Sequence, residues 1–241
     1  MRTRIGYGHG MVQIVDRALK KLNELNPDID ILSIEDASFL RYGRVHHGCC
    51  VDVLLGALDD GAEVGNGVTR TEMNGAATRP PELASFLREV FGPVELQMEC
   101  VRGRNTRLTA LEYHKSAEVA VAGTEMIVLL GLVCDISWPA GTFDMSRMRA
   151  FFIPRGTVYE ISPWCLHHYP VHVYESEGFR CLVFLPRGAH APIDFIPQPE
   201  GEGKLMQGRN TWLIAHPEDP GSRGTSAHRG LKGRTIELRT L

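Results

Sequence analysis

The feature that most limits what this chain can fold into is a change of hydrophobic period near Gly92 and Pro93. From Val94 onward, short runs of alternating apolar residues end in turn signals such as Pro154-Arg155-Gly156. The predicted strands are Val94–Val101, Leu108–His114, Glu118–Val121, Met126–Val133, Ala150–Ile153, Thr157–Ser162, His172–Tyr174, Phe179–Leu185 and Thr211–Ala215. Many short strands without long helices between them are typical of an antiparallel sandwich or barrel. We therefore expect a mainly β fold, and a double-stranded β-helix (jelly roll) fits the pattern.

The first 93 residues follow a helical period instead. The predicted helices are Met11–Leu25, Val51–Leu58 and a helix that begins at Pro81 and stops at Gly92. Between them, Asp30–Phe39 is more strand-like, and the polar stretch Glu63–Asn74 predicts a loop. We therefore expect residues 1–93 to be an α-rich extension packed outside a barrel of residues 94–241, with both parts in one folded unit.

Composition excludes several classes of protein. Apolar residues make up 43% of the 241 residues, charged residues 23%, and the net charge is −3, which is ordinary for a globular protein. Basic residues do not cluster as they do in nucleic-acid-binding proteins, and neither a signal peptide nor an apolar run long enough to span a membrane is present. The six cysteines form no CxxC pair and predict reduced thiols. We expect a cytoplasmic protein that binds a small polar molecule, without nucleic acid or membrane partners; a homodimer is left open.

One short segment has the spacing of a metal site. Glu112 and His114 are two residues apart, so on a strand they project to the same face. A tight turn after Lys115 would bring Glu118 back toward them. One imidazole and two carboxylates suit a first-row metal ion. The alternative is an exposed strand edge whose polar residues face water.

A further histidine follows the turn at Pro154-Arg155-Gly156. His167 lies eight residues after Tyr159 and would share its face on an unbroken strand, but Pro163 favours a break there. His167 is therefore either a structural residue or a second imidazole that approaches the Glu112 segment from a separate strand. A metal site open to substrate needs ligands from separate strands in this way.

The chain resembles a known family in several motifs. These are CVRGRNTRLTALEYHKSAEVAVA (Cys100–Ala122), FFIPRGTVYEISPWCLHHYP (Phe151–Pro170), GFRCLVFLPRGAH (Gly178–His190) and NTWLIAH (Asn210–His216), together with Ser33–Val45. They resemble a bacterial family of the cupin clan, domain of unknown function four-eight-six-seven, and more distantly cupin sugar isomerases and ureidoglycolate-lyase-like cupins. The resemblance implies a cupin barrel and no established reaction.

The resemblance also implies a set of metal ligands. Glu112, His114 and Glu118 are similar to the first cupin metal motif, with Glu112 in place of its first histidine, and Tyr159 replaces the histidine of the second motif. The ligands that carry over are Glu112, His114, Glu118 and His167. Mn²⁺ or Zn²⁺ suits this mixed set best, with Fe²⁺ as an alternative. The residues implied for the pocket wall are Arg104, Asn105, Tyr159, Asn210, Trp212 and His216. The segments Cys100–Asn105 and Pro186–His190 depart from the family pattern, which affects substrate contacts more than the fold.

A divalent ion with surplus carboxylates suits chemistry on hydroxy-carbonyl compounds. We expect aldose–ketose isomerisation or epimerisation of a small sugar or sugar acid through an enediolate. Glu160 is the candidate for the proton-transferring carboxylate, although it could equally be a surface strand residue, and Lys115 is a candidate to hold an anionic group. A lyase of the ureidoglycolate-lyase-like type, an iron oxygenase and a non-catalytic sugar-binding cupin remain alternatives.

Overall fold

The computed structural model describes residues 9–59, 63–73, 80–223 and 225–241, and its regular structure is mainly strand. The α-helices are α1 (His9–Leu25), α2 (Asp52–Leu58) and α3 (Pro81–Phe91). The strands are β1 (Ile31–Ser33), β2 (Gly43–His46), β3 (Thr69–Glu72), β4 (Leu96–Gly103), β5 (Arg107–Leu108), β6 (Ala110–Tyr113), β7 (Glu118–Ala122), β8 (Met126–Leu132), β9 (Phe143–Asp144), β10 (Arg149–Ile153), β11 (Val158–Ile161), β12 (Cys165–Leu166), β13 (Val171–His172), β14 (Phe179–Pro186), β15 (Met206–Gly208), β16 (Thr211–Ala215), β17 (Leu231–Lys232) and β18 (Ile236–Glu237). None of the helices in these ranges has the length and apolar character needed to span a membrane.

Two large sheets and one small sheet position the site. The first sheet has the order β1-β10-β8-β12, with β13 also paired to β8, and the second has the order β2-β11-β7-β14-β4-β3. The third sheet has the order β15-β16-β6. Within these sheets the pairs are antiparallel apart from β1 with β10, and neighbouring strands are often distant in sequence, as in a jelly roll. The expected mainly β, jelly-roll fold is confirmed.

The segment before residue 94 contributes strands as well as helices. β1 pairs with β10, β2 pairs with β11, and β3 pairs with β4. The prediction of a loop over Glu63–Asn74 was wrong for Thr69–Glu72, while Asn74 itself lies outside the described residues. β3 is an edge strand. Its residues are all polar, and all except the half-buried Arg70 are exposed, so it lacks the apolar alternation that would have indicated a strand.

Three apolar layers set the direction of each side chain. One layer lies between the two large sheets, α2 and α3 cover the outer face of the second sheet, and α1 with β6 and β16 covers the outer face of the first. Each fully buried Leu or Phe in these layers contributes roughly 1.5–3 kcal/mol of apolar burial. Because strand residues alternate in direction, this layering decides which polar side chains face the space between the sheets.

Candidate metal centre

Strand β6 presents Glu112 and His114 on the same side. Leu111 and Tyr113 are fully buried in the layer that α1 covers, so the residues that alternate with them face the other way. Glu112 accordingly lines a cleft at the end of the space between the two large sheets. Glu112 and His114 therefore lie on one face of β6, as their two-residue spacing predicts.

The chain bends after His114 and returns at Glu118, the first residue of β7. The Oε2 atom of Glu118 lies 3.6 Å from Nε2 of His114 and 3.4 Å from Nε2 of His167. The short bend at Lys115 thus brings a carboxylate from the second sheet to an imidazole from the third.

His167 reaches the site directly after β12. Strand β11 ends at Ile161, and the next strand, β12, pairs with β8 in the first sheet. The backbone N–H of Glu112 donates to the carbonyl oxygen of His167 at 2.7 Å, and the N–H of His167 donates back to Glu112 at 2.9 Å. Two backbone hydrogen bonds therefore hold His167 opposite Glu112.

Both imidazoles are oriented by backbone carbonyl groups. Nδ1 of His114 lies 2.6 Å from the carbonyl oxygen of Asn210, and Nδ1 of His167 lies 3.2 Å from that of Cys165. A carbonyl oxygen only accepts, so each Nδ1 carries a proton and Nε2 is the ring nitrogen that a metal ion can bind. Both Nε2 atoms are buried and have no hydrogen-bond partner. This is the arrangement that metal-binding histidines adopt.

The donor atoms fit a divalent ion. Glu112, His114 and His167 each offer a donor atom, and these three atoms lie within 4.8 Å of one another. Two ligands bound to one first-row ion at about 2.0–2.2 Å lie roughly 3 Å apart, so donor atoms separated by up to 4.8 Å would have to move closer by as much as about 2 Å on binding. Two imidazoles with one or two carboxylates are a set that Mn²⁺, Zn²⁺ and Fe²⁺ accept.

The charges around the site favour anionic carboxylates. Burial on its own would raise the pKa of Glu112, but Arg70 and the neighbouring imidazoles lower it to about 2. Burial opposes ionisation of Glu118 as well, yet His167 and His114 hold its pKa well below the usual range. Burial lowers the pKa of His167, but Glu118 outweighs it and leaves that pKa raised. At neutral pH the carboxylates are therefore ready to bind a cation, which would replace the proton on His167.

The cleft contains further polar residues that sequence reasoning missed. The space inside it that a water-sized molecule can occupy is about 30 Å³, below an open mouth. Besides the ligand candidates and Tyr159, its polar lining residues are Arg70, Glu99, His168 and Tyr169. The sequence contained a pattern that could have identified Glu99 as a residue facing the cleft. In β4, the polar residues Gln97 and Glu99 alternate with the apolar Met98 and Cys100. Arg70 had no such signal, because β3 has no apolar period.

Glu99 has one oxygen fixed by a hydrogen bond and one without a hydrogen-bond partner. Nε2 of Gln97 donates to Oε1 of Glu99 at 2.9 Å, while Oε2 is buried and has no hydrogen-bond partner. Nδ1 of His190 lies 3.4 Å from the same Oε1, and the His190 ring meets the His114 ring edge-on at 5.4 Å between centroids. Glu99 and His190 are therefore close neighbours of the metal ligands.

Both residues predicted to be catalytic lie elsewhere. Tyr159 and Ile161 line the cleft, so Glu160, which alternates with them, faces away from it. Oε2 of Glu160 instead pairs with Nε of Arg44 at 2.8 Å. Nζ of Lys115 pairs with Glu202 at 2.7 Å, on a side chain that is half exposed. The structure therefore places Glu160 outside the cleft, which its spacing could not show, because spacing alone does not tell which face of a strand is interior.

Four of the residues implied for the pocket wall do not line the cleft: Arg104, Asn105, Trp212 and His216. The amide of Asn105 donates to the carbonyl groups of Tyr169 and Pro170 and so holds the loop after His168. Trp212 stacks on Tyr113, and Arg104 and His216 each donate a hydrogen bond to a backbone carbonyl group. Tyr159 does line the cleft, and Asn210 acts through its carbonyl group on His114.

Three solved structures illustrate the likeness to other proteins. An oxalate decarboxylase is 15% identical over 51% of this chain and 26% of its own, with a TM-score of 0.31. A cupin 2 domain-containing protein from Halorhodospira halophila is 14% identical over 53% of this chain and 69% of its own, with a TM-score of 0.31. A salicylate 1,2-dioxygenase from Pseudaminobacter salicylatoxidans is 11% identical over 71% of this chain and 32% of its own, with a TM-score of 0.28. Likeness at this level says nothing about reaction or substrate.

The sequence comparisons define the family. No curated protein matches the chain significantly. The family model described as Domain of unknown function (DUF4867) matches residues 31–236, which include every proposed metal ligand. The chain therefore belongs to the DUF4867 family.

Proposed function

We propose that the protein is a metal-dependent enzyme that isomerises or epimerises a small sugar or sugar acid. The observation that carries the proposal is the convergence of two oriented imidazoles and two anionic carboxylates in a cleft that holds a further carboxylate, Glu99. The four converging residues are His114, His167, Glu112 and Glu118. A divalent ion bound by these residues would supply a Lewis acid that polarises the carbonyl group of the substrate. The remaining residues of the cleft must then move the proton.

Glu99 is the residue we assign to proton transfer. Isomerisation moves a proton between two adjacent carbon atoms, and one carboxylate that reaches both can remove it and return it. The hydrogen bond from Gln97 fixes one oxygen of Glu99, and the other is buried beside the cleft without a hydrogen-bond partner, 3.5 Å from Nε of Arg70. This is the role that the sequence assigned to Glu160, which faces the other side of the sheet.

Tyr159 can orient the substrate. Its side chain is buried and lines the cleft, and burial raises the pKa of its hydroxyl well above the usual value. The phenol therefore stays protonated at neutral pH and can donate a hydrogen bond to a substrate oxygen. In this role it would position the substrate and would not transfer the proton.

The test combines metal content with proton exchange. Protein purified without chelators should contain about one divalent ion per chain by elemental analysis, and it should exchange the C2 proton of a sugar or sugar acid with deuterated solvent. Glu99→Gln should lose at least ~100-fold in exchange while it keeps the metal, because proton transfer by a positioned side chain contributes 10²–10⁴-fold. His114→Ala should lose both. Glu160→Gln is the matched control and should keep both.

Other outcomes would contradict the proposal. Exchange that survives Glu99→Gln would remove Glu99 as the base. A loss of water or of another leaving group after proton exchange would indicate a lyase. Protein that binds sugars without metal and without exchange would be a binding module.

A second candidate is an iron-dependent oxygenase. Glu112, His114 and His167 form a group of two histidines and one carboxylate, which many such enzymes use. Glu118 departs from that set, because a fourth donor leaves two open positions on a six-coordinate ion where the two-histidine, one-carboxylate set leaves three. Bound iron together with substrate-dependent oxygen uptake would favour the oxygenase over the isomerase.

A further inference from the structure

Arg70 lies on the inward-facing side of the edge strand β3. Its backbone pairs with Val101, another residue that lines the cleft, while the flanking Thr69 and Thr71 are exposed. About a quarter of the Arg70 side chain remains exposed. The guanidinium group therefore lies between the interior of the cleft and solvent, where an entering substrate would meet it.

The guanidinium group of Arg70 makes only long contacts with the neighbouring carboxylates. One of its terminal nitrogen atoms lies 3.4 Å from Oε1 of Glu112, and Nε lies 3.5 Å from Oε2 of Glu99. Charge-assisted hydrogen bonds are about 2.7–2.9 Å long, so neither contact is a strong one. Nε of Arg70 and Oε2 of Glu99 are buried and have no hydrogen-bond partner. A buried donor without an acceptor is costly, and a ligand oxygen would remove that cost.

The charge of the cleft also points to a role for Arg70. Among the lining residues that the structure describes, Arg70 is the only Arg or Lys, beside the carboxylates Glu99, Glu112 and Glu118. Lys115, which the sequence suggested for an anionic group, is paired with Glu202 outside the cleft. The planar fork of an arginine matches the two oxygens of a carboxylate. The ring of Tyr169, 5.6 Å from the guanidinium carbon, supports one face of the fork.

We infer that Arg70 binds a carboxylate group of the substrate, so that this cleft takes a small sugar acid or oxo acid in preference to a neutral sugar. The inference rests on the proposed function, because it concerns the substrate of the same cleft. Arg70 lies beside the ligand candidate Glu112 and the proposed base Glu99. A substrate carboxylate on Arg70 would therefore hold the neighbouring carbonyl group between the metal ligands and the base.

The test uses two probes that differ in one group. Hydroxypyruvate carries a carboxylate where dihydroxyacetone carries a hydroxymethyl group, and the rest of the two molecules is the same. Isothermal titration calorimetry on Mn²⁺-loaded protein should show hydroxypyruvate binding at least tenfold more tightly. Arg70→Met should remove this preference while the metal content stays unchanged. Arg44→Met is the matched control, because Arg44 pairs with Glu160 on the opposite face of the sheet, and it should keep the preference.

The possible failures are distinct. A wild-type protein without preference, or a preference that survives in Arg70→Met, overturns the inference and leaves the metal-dependent function intact. Loss of metal in Arg70→Met also overturns it, because Arg70 would then serve to hold Glu112. If Arg70→Met does not fold, Arg70→Lys decides: it keeps the charge but not the fork, and an unchanged preference would overturn the inference. A protein that binds no metal but still prefers hydroxypyruvate through Arg70 refutes the proposed function alone.

Discussion

At the scale of single residues, two neighbours in one strand have opposite roles. Tyr159 lines the cleft, and Glu160 faces the outer side of the same sheet, where it pairs with Arg44 and His46. Burial would raise the pKa of Glu160, but hydrogen bonds and charges from these two partners outweigh it and lower that pKa below 4.5. The ion pairs of Glu160 therefore contribute to the stability of the fold.

Glu160→Gln should make stability less dependent on pH. A carboxyl group whose folded pKa is lowered stabilises the fold above its unfolded pKa, and this contribution is lost as pH falls through the folded value. We expect the variant to be less stable than the wild type by about 1 kcal/mol at pH 7, and the difference to shrink below about pH 4.5. Urea denaturation of the metal-free proteins at several pH values measures this. A difference that stays constant over the range would show that the ion pairs contribute nothing.

At the scale of elements, the second sheet separates two functions. Its inner face lines the cleft through residues such as Glu99, and its outer face packs against α2 and α3. α3 begins at Pro81, which suits a first helical turn, and ends at Gly92 in the left-handed region that glycine favours. The helix thus supports the sheet from the side opposite the cleft.

Leu83→Ala should reduce stability without affecting the metal. Leu83 is fully buried in the layer between α3 and the second sheet, and such truncations cost about 2–5 kcal/mol. Chemical denaturation should show this loss, while elemental analysis should show unchanged metal content. The exposed Glu89 on the same helix provides the control, since Glu89→Ala should change stability by no more than about 0.5 kcal/mol. Metal loss in folded Leu83→Ala would show that the two faces of the sheet are coupled.

At the scale of the whole molecule, the candidate metal centre joins all three sheets. His114 follows β6 of the third sheet, Glu118 begins β7 of the second, and His167 follows β12 of the first. A ligand that binds only the folded chain stabilises it by mass action. A metal ion at this point would therefore hold the sheets together as well as serve the reaction.

Metal addition should stabilise the wild-type protein and not His114→Ala. At a free concentration one hundred times its dissociation constant, Mn²⁺ or Zn²⁺ should add about 2.7 kcal/mol to the free energy of unfolding. Thermal unfolding after chelator treatment, with and without added metal, measures the effect. An equal gain in His114→Ala would mean that the metal binds elsewhere.

The sequence predicted much of the fold and the local part of the site. The strands after Val94 stand out because each has at least one face in an apolar layer, and β8 is apolar along its whole length because a layer covers each of its faces. The apolar stripes of α1 and α3 likewise lie in these layers. β3 escaped notice because its exposed polar residues carry no such pattern. Within the site, Glu112 and His114 could be placed together because two-residue alternation is a property of the strand backbone itself.

Only the tertiary structure decided which faces and which distant segments meet. His167 reaches Glu112 because β12 pairs with β8 and two backbone hydrogen bonds complete the contact. Tyr159 lies inside and Glu160 outside because of what packs on each face of the second sheet, and Arg70 enters the cleft because β3 pairs with β4. The sequence by itself determined how side chains alternate, since that depends on local backbone geometry. The choice of the buried face and of the partner strands depends on contacts between residues far apart in the chain, which local patterns do not contain.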